Sequence, residues 1–178
     1  MTFKRGIVRL SDGLDRIMRL ATIGFLMVLV SVVILQVIAR YVFASPPAWT
    51  EEIARYAMIW AGLLGATMSF KRGFDPALFG DFRSRNRFAL FAAKLGRSLP
   101  VLIYLLPILL FCFIGANMTV ERSFLVRHSR SMADAFDFPT LLVAIAVPIM
   151  IVTILVHLAA QWCGDKPRHG TTESLEVG

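Results

Sequence analysis

Residues 36–65 read QVIARYVFASPPAWTEEIARYAMIWAGLLG, and this stretch sets the fold. It closes one apolar run and opens a second, with Arg40, Glu51, Glu52 and Arg55 at the junction. The flanks are charge-free: residues 20–39 carry no charged side chain, and neither do residues 56–70. Charges this close to hydrocarbon are costly unless they are paired and held at an interface or against a protein partner. Pro46 and Pro47 stop the first helix, because proline cannot donate the next backbone hydrogen bond, and so fix a short elbow. Thr50 has the chemistry of an N-cap for the second helix. Glu51 and Glu52 would then fall in the first turn, where carboxylates interact favourably with the helix dipole.

Working outward, the composition demands a membrane. Of 178 residues, 57% are hydrophobic, with a mean hydropathy of +0.67, more than a soluble interior of this size can hide. A span needs about twenty mostly apolar residues. Four segments meet that need, at residues 20–43, 53–70, 99–118 and 140–162. The expectation is an all-α integral membrane protein: one four-span domain over residues 1–163, then a polar, disordered tail over 164–178. The first apolar run exceeds the roughly 7–15 residues of a signal-peptide core, so it is expected to stay as an anchor.

The net charge of +7 follows the membrane pattern. Fourteen of the nineteen Lys and Arg residues lie in the N-terminal tail, the central connection and the C-terminal tail, and five on the other side. The positive-inside rule therefore puts both termini and the central connection in the cytoplasm of a multi-pass protein. No basic patch stands apart from these flanks, so nucleic acid is not an expected partner. In the central connection Arg83, Arg87, Lys94 and Arg97 share one helical face, roughly opposite Phe88, Ala92, Leu95 and Leu99. That is the pattern of an amphipathic helix lying among membrane lipid headgroups between the second and third spans. The alternative is a cytoplasmic extension of the third span.

The chemistry-bearing residues are sparse. Cys112 and Cys163 lack a CxxC partner, and His128, His157 and His169 are scattered without metal-ligand spacing, so no metal or cofactor is indicated. A lone His157 among apolar turns is read as a structural hydrogen-bonding group, and Gln36 likewise. Ser31, Cys112 and His157 form no nucleophile–base cluster, which argues against an enzyme. Glu51 and Arg55 are spaced i,i+4 with the acid first, the favourable order for a helical ion pair. Arg40 is expected to join them and lock the elbow, leaving Glu52 freer to face a partner. Trp49, Ile53, Tyr56 and Trp60 form a stripe on the second helix, with Trp49 as an interfacial anchor and Trp60 set for helix packing or partner contact. Ala61, Gly65 and Ser69 repeat a small residue every fourth position and permit close approach of another helix.

Arg40-Tyr41-Val42-Phe43, then Trp49-Thr50-Glu51-Glu52, Ala54-Arg55 and Trp60, resemble the small membrane subunit, DctQ-like, of tripartite ATP-independent periplasmic (TRAP) transporters. The resemblance extends through Leu64-Gly65-Ala66 and Lys71-Arg72-Gly73 to Pro139 and Pro148 at the last span. Where the family often has a histidine after the basic-Gly pair, this chain has Phe74-Asp75. The resemblance implies a non-catalytic subunit of the bacterial inner membrane. It would scaffold a large membrane subunit and help a periplasmic substrate-binding protein dock during ion-coupled uptake of an organic acid. A self-sufficient four-span exporter is the alternative, but it needs an acid midway through a span, and the deep parts of all four runs have none.

Overall fold

A computed structural model describes residues 2–45, 47–73, 87–115, 118–133, 135 and 138–165. Six helices follow one another among them: α1 (Thr2–Val42), α2 (Ala48–Arg72), α3 (Arg87–Phe113), α4 (Phe124–Arg130), α5 (Leu141–Ala144) and α6 (Ala146–Trp162). A 3-10 turn at Val120–Arg122 precedes α4. The described residues form no strand; a single bridge pairs Met132 with Pro139. Three helical stretches are long and apolar enough to cross a membrane: Lys4–Val42, Lys94–Phe113 and Leu141–Trp162.

α1 and α2 form an antiparallel hairpin, and α6 packs against both. The hairpin is closed by aromatic stacking of Phe25 on Trp60, with ring centroids 5.2 Å apart and planes 14° from parallel. The small-residue row on α2 meets a helix of this same chain: a methyl group at Gly65 would rest 4.0 Å from Thr22 of α1, an ordinary contact. α3 leans on α6 through an apolar cluster of Leu105, Ile151 and Ile154, flanked by Val101, Ile108 and Leu109. Pro148 explains the break at Ile145 between α5 and α6, because it cannot donate to the Ala144 carbonyl.

α3 alters one expectation. The stretch that reads as an amphipathic interfacial helix runs unbroken from Arg87 into the apolar run, so its described part is the N-terminal extension of α3 and not a helix of its own. Pro100 lies inside the helix and leaves carbonyls of the preceding turn short of a donor. The Ser98 hydroxyl donates back to Lys94 O at 2.9 Å, the i−4 bond common for a serine inside a helix. Lys94 is exposed; Arg83 lies outside the described residues, as do the side chains of Arg87 and Arg97.

α3 ends at Phe113, and Gly115 then passes tightly under the 3-10 turn, its amide donating to Thr119 O at 3.1 Å. A Cβ at Gly115 would collide with the carbonyl of Arg122 and sit 2.6 Å from Ser123 N, all backbone atoms that cannot rotate away. Gly115→Ala should therefore cost about 2 kcal/mol in equilibrium unfolding in mixed micelles, the scale of an overpacked site. Gly62→Ala, where a Cβ meets nothing within 4 Å, should leave stability unchanged or raise it. Equal behaviour of the two variants would show that the Gly115 crossing is loose.

Candidate functional site

Two polar junctions hold the helices together, one at each end of the α1–α2 hairpin. The first is the elbow. α1 ends at Val42, Ala44 takes a left-handed φ of 52°, and extended Pro47 leads into α2. The helix begins at Ala48, so Thr50 lies within the first turn and is not its cap. Its amide and its hydroxyl both donate to Pro47 O, at 3.2 and 2.7 Å. Proline supplies a carbonyl already aimed at the turn, and the threonine hydroxyl adds to it.

The acids exchange the roles expected of them. Glu51 pairs with Arg55 at 3.1 Å, but the two side chains are 71% and 54% exposed, which makes this a solvated surface pair. Arg40 is exposed and forms no ion pair with Glu51 among the described residues. The reason is helical phase: Ala39 is the buried residue at that level, and Arg40, about 100° further round, turns outward. Glu52 is the locked residue, only 7% exposed. It accepts from the Tyr56 hydroxyl at 2.5 Å and from the Ala135 amide at 2.7 Å. Tyr56 in turn meets Phe138 edge-on at 6.1 Å.

Glu52 and Tyr56 thus tie α2 to the connection between α4 and α5. That connection is itself closed by Ala133 N donating to Phe138 O (3.0 Å) and Thr140 N to Ser131 O (2.9 Å). His128 Nδ1 and Thr140 Oγ1 lie 2.9 Å apart and fasten α4 to the start of α5. A cleft of about 450 Å³ beside them is lined by Glu121, Arg122, Arg127 and Arg130. Trp49 stands exposed at the first turn of α2, while Trp60 is turned to Phe25 inside the hairpin.

The second junction gathers residues from three helices. Ser11 Oγ of α1 lies 2.8 Å from His157 Nδ1 of α6, and the two residues are 0% and 1% exposed. Lys71 Nζ of α2 reaches Asp12 Oδ1 of α1 at 2.7 Å, its own side chain 9% exposed against 41% for the aspartate. The imidazole also feels the charges of Lys71, Asp15 and Asp12. Asp15 Oδ1 and His157 Nε2 are buried without a hydrogen-bond partner among the described residues. Ser, His and Asp are the residue types of a nucleophile set, but Ser11 has no surface to offer a substrate. The arrangement serves as an interhelical clamp. Among the described residues no group of three His, Cys, Asp or Glu could hold a metal ion.

Sequence reasoning found His157 but not its partners, which come from the opposite end of the chain. The signal was available: Asp12 and Asp15 are the two acids in an N-terminal segment otherwise charged only by lysine and arginine. An acid four residues after a serine on one helix face invites a search for the group it answers.

Three helical stretches long and apolar enough to cross a bilayer, among the described residues, mark an α-helical membrane protein. The chain belongs to the DctQ component family of the tripartite ATP-independent periplasmic transporters, which it matches over residues 29–166. Over 61 residues it is 36% identical to the "Putative TRAP transporter small permease protein" of Haemophilus influenzae. That match covers 34% of this chain and 38% of the relative's own length. No solved structure gives a significant match.

Proposed function

We propose that this chain is the small, non-catalytic membrane subunit of a TRAP-type secondary transporter in a bacterial inner membrane. In this reading it enlarges the scaffold of the large permease subunit and helps a periplasmic binding protein dock while an organic acid is taken up with a coupling ion. All four long helical units cross the bilayer, with both termini in the cytoplasm. The sorting of basic residues supports that orientation. α2 has 25 residues, about 37 Å of helix, and runs alongside α1, which supports its crossing too.

The observation that carries the docking role is the Glu52 junction. A buried carboxylate joining α2 to the Ala135 amide makes the elbow and the second connection one rigid surface. Trp49, Glu51 and Arg55 lie on the elbow beside it and are the residues placed to meet a partner, together with Arg40. Trp60 and Gly65 serve this surface from within by holding the hairpin, and Tyr56 by bracing Glu52 against the second connection. The exporter alternative is weaker, because the acids of the described α-helices, Asp12, Asp15, Glu51 and Glu52, all lie outside the charge-free runs at residues 20–39 and 56–70.

Reconstitution tests the reading. Vesicles holding this chain alone should show no uptake of an organic acid under a sodium gradient. Vesicles with its large partner subunit should take up substrate once the matching binding protein is added outside. Robust transport by the chain alone would overturn the accessory role.

A further inference from the structure

The cleft of about 450 Å³ beside α4 is lined, among the described residues, by Glu121, Arg122, Arg127 and Arg130. All four are exposed, and none is ion-paired among the described residues. Three guanidinium groups against one carboxylate make this described lining cationic. The backbone that carries them is fixed. The Arg122 carbonyl crosses so close to Gly115 that a Cβ there would collide with it. Ser123, 1% exposed, caps α4 by accepting from Val126 N at 3.4 Å. The contact between His128 and Thr140 fastens the helix to the start of α5. A frame already ordered in this way loses little freedom when a partner arrives.

Three features point to a protein carboxylate as the occupant. The described lining is entirely charged, whereas a pocket for a small molecule is walled mostly by apolar and aromatic side chains. Val120 directly precedes Glu121, and Met132 follows two residues after Arg130. These two are 63% and 61% exposed, and arginine and methionine are both enriched where proteins meet. The connection that follows α4 is also tied to the elbow through the Ala135 amide and Glu52, so the cleft continues the surface that carries Trp49, Glu51 and Arg55.

We propose, on the docking reading above, that this cleft receives acidic side chains of the soluble binding protein, with Arg122, Arg127 and Arg130 as donors to their carboxylates. The planar fork of arginine can give two parallel hydrogen bonds to one carboxylate. Glu121 opposes the incoming acid and limits its affinity.

The test uses the full complex with the large subunit in vesicles, with uptake followed as the binding protein is titrated outside. Arg127→Gln with Arg130→Gln should raise the half-saturating concentration about fivefold at low salt, the scale of two exposed charge pairs. About 0.5 M potassium chloride should shrink that difference below about twofold, because exposed charges are screened. Arg19→Gln with Lys94→Gln, an equal loss of charge at exposed sites outside the cleft, should shift it by less than about 1.5-fold. Glu121→Gln should lower the half-saturating concentration, a gain that a folding defect cannot mimic. The fivefold rise should be the same in phosphatidylcholine vesicles with and without phosphatidylglycerol. An unchanged value in the double arginine variant, with uptake still dependent on the binding protein, would overturn the cleft and leave the docking reading standing. Uptake that needs no binding protein would overturn both. A rise confined to vesicles with phosphatidylglycerol would assign the arginines to lipid and overturn the proposal as well.

Discussion

Glu52→Ala should lower stability by about 3 kcal/mol in equilibrium unfolding in mixed micelles, while Glu51→Ala should change it by less than about 1 kcal/mol. The two acids are neighbours in sequence, so composition and local propensity hardly separate them. Burial does. Glu51 and Arg55 are solvated, and water replaces either partner when the other is removed. Glu52 is almost fully covered and accepts from the Ala135 amide 83 residues away. Its removal leaves a backbone donor and the Tyr56 hydroxyl short of an acceptor in the same place. A hydrogen bond to a charged group contributes about 1.5–3 kcal/mol, and the stranded donors add their desolvation cost. Tyr56→Phe, which leaves the Ala135 bond in place, should cost less, about 1 kcal/mol. Protease cleavage in residues 131–140 should accelerate in Glu52→Ala and not in Glu51→Ala. Matching effects of the two acid substitutions would mean that the α2-to-loop junction does not hold the surface together.

The membrane class was legible because it depends on composition and apolar run length, which are local. The elbow was legible for the same reason: two prolines between two apolar runs leave little choice. The assignment of Glu51 and Glu52 was not legible. Helical phase shows that adjacent residues point about 100° apart, but not which direction faces protein. That depends on where residues 131–140 return, and nothing near Glu52 in sequence encodes Ala135 or Phe138. The cap failed on a smaller point, since Thr50 bonds backward to Pro47 O and the helix starts two residues before it. The interfacial helix was a matter of continuity. Amphipathic phase is the same for a separate helix and for the end of a longer one, and α3 is the longer one. Ser11 and Lys71 remained unread because their meaning arises only when three helix ends meet.

That meeting point gives the second large effect, and its sign is set by unequal burial. In the Lys71–Asp12 pair the lysine side chain is 9% exposed and the aspartate 41%. Lys71→Met removes the buried cation, and the aspartate left behind can rehydrate, so the loss should be about 1–2 kcal/mol. Asp12→Ala does the opposite. It strands an ammonium group in a covered site beside His157, and a buried charge deprived of its partner costs about 3–5 kcal/mol. The double variant should be more stable than Asp12→Ala alone, because Lys71→Met takes away the very charge that loses its partner. Ser11→Ala, which takes the partner from His157 Nδ1, should cost about 1–3 kcal/mol and add to neither change in a simple way, since all these side chains share one junction. The measurement is the same mixed-micelle unfolding across the four variants. If Asp12→Ala and Lys71→Met cost the same and the double variant costs their sum, the pair is not a desolvated clamp, and the three helices are held by apolar packing alone.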